Sequence, residues 1–88
     1  MTITSDSIVV SSSAIQVIST TSNRRLLSIK NVSANTVFIG FDTSVNSANG
    51  IYLTYKDSFI ETKYTGAVYV IVDDSTNESE IRFLEVTS

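Results

Sequence analysis

Val, Ile and Thr supply 31 of the 88 residues, in short runs separated by polar turns. This feature constrains the fold more than any motif. Two heavy atoms on Cβ restrict χ1, which favours the pleated strand over the helix. The helix formers that would oppose this are scarce, with four Leu and four Ala. Ser, Thr and Asn contribute 32 residues, the chemistry of turns and uncharged strand faces. The longest apolar run is six residues, 67–72. That suits a buried strand and falls far short of the ~18–20 residues of a membrane helix. The expected class is therefore all-β, a small antiparallel β-sandwich or jelly roll.

The order of the runs supports this. Residues 1–23 form a Ser/Thr-rich lead, expected as an N-terminal arm or as edge strands. Within it, Ile8-Val9-Val10 and residues 14–18 are apolar clusters separated by Ser11-Ser12-Ser13. Residues 24–88 are expected to form the sandwich, and no linker divides the chain, so it reads as a single domain. Residues 24–32 alternate, with Leu27 and Ile29 on one face and Leu26, Ser28 and Lys30 on the other. Residues 36–41 alternate likewise, and the short link Ser33-Ala34-Asn35 makes the two runs a hairpin candidate. Asp42 to Asn49 is a polar loop with one large apolar residue, Val45. Asn49-Gly50 is the strongest turn dipeptide, because both residues tolerate φ > 0. Residues 51–54 and 58–62 are short strands around a turn at Tyr55-Lys56-Asp57. Gly66 marks a tight bend or a close backbone approach. Residues 67–73 are apolar on both faces, as in a central strand, and residues 79–87 close the chain as a strand. The total is about eight short strands, the cadence of a sandwich or small barrel. Gly40, Asn49, Gly50 and Gly66 are the expected structural turn positions.

Chemistry is harder to find. With no Cys and no His, the chain lacks thiols, imidazole and ordinary zinc or haem ligands. Its carboxylates fall in turns or at strand ends, where solvation is their ordinary state. No nucleophile motif or phosphate-cradling Gly loop is present, so no catalytic residue, cofactor or metal site is expected. Residues 73–78 are oxygen-rich but lack the spacing of a calcium loop, and read as an acidic turn. The sequons at Asn31 and Asn77 are assigned no function in a chain so rich in Ser, Thr and Asn. A net charge of −3 argues against a nucleic-acid footprint, and the N-terminus lacks the pattern of a signal peptide. Two candidate contact sets remain. Arg24-Arg25 is the only basic pair, suited to an internal salt bridge or to an acidic partner surface. Tyr52, Tyr55 and Tyr64 suit either sandwich packing or a glycan-stacking platform, since Tyr joins an apolar face to a polar tip.

The succession Arg25-x-Leu27-x-Ile29-x-Asn31, Val37-Phe38-Ile39-Gly40, Val45, Asn49-Gly50-Ile51-Tyr52-Leu53, Tyr64-Thr65-Gly66-Ala67-Val68-Tyr69-Val70-Ile71 and Glu85-Val86 resembles small β-sandwich structural proteins of tailed bacteriophages. These include capsid decoration (cement) and head-associated proteins. The likeness spans roughly residues 24–87 and implies no catalytic residue. It implies a virion protein on the capsid exterior, present in the host cytoplasm during assembly, with the phage major capsid protein or another virion protein as partner. A glycan-binding module and a neck or tail adaptor are the alternatives. Size adds a physical expectation. A domain this small buries only roughly 60–65% of its unfolded surface. It has no disulfide and no His/Cys metal site, so self-association, most plausibly as a homotrimer, is the remaining staple. Neither nucleic acid nor membrane is an expected partner.

Overall fold

A computed structural model describes residues 1–72 and 78–88. Eight strands occur in chain order: β1 (Thr2–Val10), β2 (Ile15–Ile18), β3 (Arg24–Asn31), β4 (Val37–Gly40), β5 (Ile51–Leu53), β6 (Ser58–Glu61), β7 (Val68–Val72) and β8 (Ser79–Thr87). They form two four-stranded sheets ordered β1-β8-β3-β6 and β2-β7-β4-β5, with every pair antiparallel. Strand 1 pairs with 8, 2 with 7, 3 with 6 and 4 with 5. The chain is thus one long antiparallel hairpin rolled into two layers, which is a jelly roll.

The β-branched residues that define the sequence also build the core. Val10, Ile29, Val37, Val68, Val70 and Ile81 are fully buried between the layers. Among the described residues of the central cluster, only Leu27 and Leu53 are not β-branched. Each such side chain contributes about 1.5–3 kcal/mol by leaving water. On β7, Val68, Val70 and Val72 face this core, while Tyr69 and Ile71 lie half-buried on the other side. β7 runs between β2 and β4, and on its outer face Tyr69 stands opposite Gln16 and Ile71 opposite Phe38.

Residues 1–23 take the edge-strand option. β1 borders one sheet and β2 the other, and β1 pairs with β8 over its whole length, from Thr2↔Thr87 to Val10↔Ser79. The expected hairpin between residues 24–32 and 36–41 does not form. β3 and β4 lie in different sheets, so the Ser33–Asn35 link carries the chain across the sandwich. The alternating faces were compatible with either path, because a hydrophobic period fixes which face is buried but not which strand is the neighbour.

Candidate functional site

Two polar clusters tie the layers together, and they decide which polar residues are free to meet a partner. The first is built on Arg24. The register of β3 against β8 shifts between Arg24↔Thr87 and Leu26↔Val86, leaving Arg25 as the extra residue of a β-bulge. Strict alternation would put Arg24 on the outer face with Leu26. The bulge reverses that and aims Arg24 inward, where its side chain is 1% exposed. Its Nε donates to Glu85 Oε2 at 2.8 Å. Its terminal nitrogens donate to the carbonyls of Tyr64 (3.2 Å), Gly66 (3.0 Å) and Ser19 (2.6 Å). Of the two expected roles for Arg24, the structure adopts the internal salt bridge. Arg25, displaced by the same bulge, is exposed.

The second cluster is built on Asn31, which sequence reasoning passed over. Asn31 is fully buried at the other end of β3. Its amide donates to the carbonyls of Asn35 (2.8 Å) and Leu53 (2.9 Å), and its Oδ1 accepts the Ser33 amide (3.0 Å). Ser79, also buried, donates its hydroxyl to the Asn35 carbonyl. The bond to Leu53 joins one sheet to the other, and the remaining bonds fix the crossing that replaces the expected hairpin. The Asn31 sequon is therefore a structural position. Asn77, the second sequon, and residues 73–77 of the oxygen-rich segment lie outside the described residues.

The tyrosines separate. Tyr64 is half-buried, packs against the core and donates its hydroxyl to the Ala67 carbonyl at 2.8 Å. Its ring meets Phe41 edge-on at 4.8 Å between centroids. Tyr52 and Tyr55 are 65% and 55% exposed, and Lys56 Nζ lies 5.2 Å from the Tyr55 ring centre. The expected platform of three therefore reduces to two free side chains. The glycines act by close approach. At Gly50 a Cβ would stand 2.6 Å from Phe38 Cβ, and at Gly66 it would strike the Tyr64 ring. Neither has positive φ; among the described residues the left-handed one is Lys56, at φ 72°. Asn49-Gly50 is thus not the φ > 0 turn its composition suggests. Gly40 ends β4 rather than forming a turn, and Val45 is seated against it. Val45, the one large apolar residue of the 42–49 loop, is accordingly 5% exposed and anchors that loop. Asn49 serves the same loop, accepting the Asn46 amide and donating to the Ser44 carbonyl.

The carboxylates cap turns. Asp42 is held below its ordinary pKa by the Ser44 hydroxyl and then the Ser44 amide. Asp57 is lowered by the Thr54 hydroxyl and then the Thr54 amide. Glu61 is lowered by the amides of Lys63 and Tyr64, with smaller help from the Thr62 amide and the Lys63 charge. Each is stabilised as an anion, opposite to what a general acid requires. Among the described residues no cluster of three or more His, Cys, Asp or Glu side chains is placed to hold a metal. The open clefts are shallow. One of about 290 Å³ lies by Ser5, Asp6, Arg82 and Phe83, and another of about 200 Å³ lies by Phe41, Asp42, Val45 and Ile51.

A further feature is a surface. The sheet β1-β8-β3-β6 turns Leu27, Ile29 and Ile81 inward. Its outer side carries Ile3, Val86 and Leu26 in one cross-strand row, then Ser5, Leu84, Ser28 and Ile60 in the next. Ile3 and Ile60 are 58% and 63% exposed.

No family model matches the chain, and no curated protein matches it. Among solved structures, the stem and receptor-binding domain of the spike protein P1 from bacteriophage PM2 is similar, with a TM-score of 0.63 and 20% identity. That match covers 84% of this chain and 30% of the spike chain, so this chain spans less than a third of that protein's length. A second structure, from the disulfide-linked pili of Bacillus endospore appendages, has a TM-score of 0.49 and 13% identity, covering 98% of this chain and 88% of that one. The fold, an all-β sandwich found also in a phage spike, is the one the resemblance implied.

Proposed function

We propose that this chain is a non-enzymatic structural protein of a bacteriophage particle. The observation that carries the reading is the rolled sandwich itself, shared with part of a phage spike protein. Its polar clusters support it, because they are spent on holding the layers together. Arg24 and Asn31 stitch the sheets, and the lowered carboxylates cap turns. More finely, we propose a decoration role on the head exterior, with the major capsid protein as partner and self-association, as a trimer, as the mode of assembly. Many weak repeated contacts then add up through multivalency. Mass spectrometry of purified particles, followed by localisation by electron microscopy, tests this. The chain is expected in the particle at high copy on the head. Its absence from particles overturns the reading, and density at the neck or tail replaces decoration with an adaptor role.

One observation favours a second reading, glycan binding. Tyr52 and Tyr55 are exposed near each other in sequence, on β5 and just after it, and the similar spike structure comprises a stem and a receptor-binding domain. A glycan array tests it. Binding that is lost in Tyr52→Ala and Tyr55→Ala supports the second reading, and a blank array removes it.

A further inference from the structure

We infer that the outer face of the β1-β8-β3-β6 sheet is the surface through which copies of this chain meet. The inference rests on the self-association in the reading above and assigns it a location. Three observations converge on this face. The first is its apolar content. Ile3, Leu26, Val86, Leu84 and Ile60 occupy two adjacent cross-strand rows on four different strands, and no strand of the other sheet packs on that side. Ile3 and Ile60 are exposed and Leu26, Leu84 and Val86 half-buried, and apolar side chains grouped in this way mark an interaction surface, whereas scattered single ones do not.

The second is area. The four strands of this sheet contain 9, 9, 8 and 4 residues. At about 3.4 Å per residue and 4.8 Å between strands, they give a flat footprint of about 500 Å² per copy. Counted on two copies and raised by side-chain relief, this clears the ~1,000 Å² total that a specific interface requires. The strands of the other sheet contain 4, 5, 4 and 3 residues, which give about half that footprint. Gly50 also packs on Phe38 on that side, so the β4–β5 loop already covers part of it.

The third is charge. The chain carries −3 overall. The outer face of this sheet bears Lys30, Arg82 and Glu80, with exposed Arg25 beside Leu26 at the bulge, three positive charges and one negative. Arg82 and Glu80 already pair at 3.0 Å. A second copy approaching here meets apolar rows and a rim that is less charged than the acidic remainder of the chain. Approach by the remaining surface brings net acidic charge against itself, which is unfavourable. The partner that fits is therefore another copy of this chain.

The test is light scattering and sedimentation velocity on the full chain, over low micromolar to near-millimolar concentration. The wild type should show the mass of two or three chains. Leu84→Lys and Ile60→Lys should weaken association at least tenfold while far-UV circular dichroism stays strand-like. Ile60→Thr retains a β-branched side chain, so it should fold even if the lysine variants do not, and it too should weaken association. Tyr52→Lys, on the other sheet, should leave the mass unchanged. A single-chain mass for the wild type at every concentration overturns the inference. So does an oligomer that folded Leu84→Lys, Ile60→Lys or Ile60→Thr chains still form in full. Particles that contain a chain of single-chain mass would overturn this inference and leave the virion reading standing. Particles without the chain, beside an oligomer sensitive to Leu84→Lys, would do the reverse.

Discussion

Replacing Arg24 by Met keeps a long side chain and deletes every donor. Four hydrogen bonds are lost, to Glu85, Tyr64, Gly66 and Ser19, from three segments besides β3's own. Glu85, with its side chain 17% exposed, keeps a charge without its partner. Removing one member of a buried ion pair costs about 3–5 kcal/mol, because the surviving charge remains desolvated. An 88-residue domain is stable by only about 4–13 kcal/mol, at about 0.05–0.15 kcal/mol per residue. Arg24→Met should therefore remove a quarter or more of the total. It should lower Tm by at least about 12 °C, at about 4 °C or more per kcal/mol for a domain this size. Thermal and urea melts followed by circular dichroism read this directly, at a concentration where both proteins have the same oligomeric state. Arg24→Lys should fall between, since one ammonium keeps the charge but cannot span the same carbonyls. Arg24→Met with Glu85→Met should cost less than the two single changes together, because the double variant leaves no orphaned charge. If Arg24→Met melts within about 4 °C of the wild type, about 1 kcal/mol, the bulge-directed cluster is not holding the sandwich and the reasoning fails.

Three further outcomes follow from the same structure. Asn31→Ala removes the side-chain donor to the buried Leu53 carbonyl and the acceptor of the Ser33 amide, and leaves the Asn35 carbonyl to Ser79 alone, so urea unfolding should show a loss of about 2–4 kcal/mol; a loss under about 1 kcal/mol would contradict the crossing role. Gly50→Ala places a methyl 2.6 Å from Phe38 Cβ, so it should destabilise by about 1–3 kcal/mol through overpacking; an unchanged Tm would show that the loop gives way freely. Asp42, Asp57 and Glu61 have folded pKa values below their ordinary 3.8, 3.8 and 4.5. Their stabilisation is complete above those ordinary values and is lost as pH falls through the lowered ones. A variant with Asp42→Asn, Asp57→Asn and Glu61→Gln should therefore lose less stability than the wild type in that acid range, and an identical acid limb would refute the assignment.

Much of the layer structure can be read from residue order, because burial imposes period two on each strand. Leu27 and Ile29 face the core as their alternation requires, and residues 79–87 are β8 to the residue. Val45 is buried, as a lone large apolar residue in a polar loop suggests. What alternation cannot carry is partner choice and interruption. The β3–β4 link looks like a hairpin turn, yet Asn31 uses its side chain to direct the chain into the other sheet. The bulge at Arg25 costs one residue and reverses the facing of Arg24, which no local pattern announces. Tyr52 and Tyr64 are chemically alike, and their different exposure follows from sitting on an edge strand in one case and over Gly66 in the other. The outer face of the β1-β8-β3-β6 sheet was equally hidden. Leu26, Ile60 and Leu84 are far apart in the chain and become neighbours only through the ladder.

The rolled hairpin also has a consequence for synthesis. β8 is synthesised after the seven other strands of the sandwich, yet it lies between β1 and β3. Until its nine residues emerge, the larger sheet has no middle: β1 has no neighbour and β3 has only β6. The nascent chain must therefore wait with β1 unpaired, and the β1–β8 ladder, from Thr2↔Thr87 to Val10↔Ser79, forms only after that. A stop codon ahead of β8 would remove the centre of a sheet rather than trim an end, so truncated products of this gene should be cleared rather than assembled.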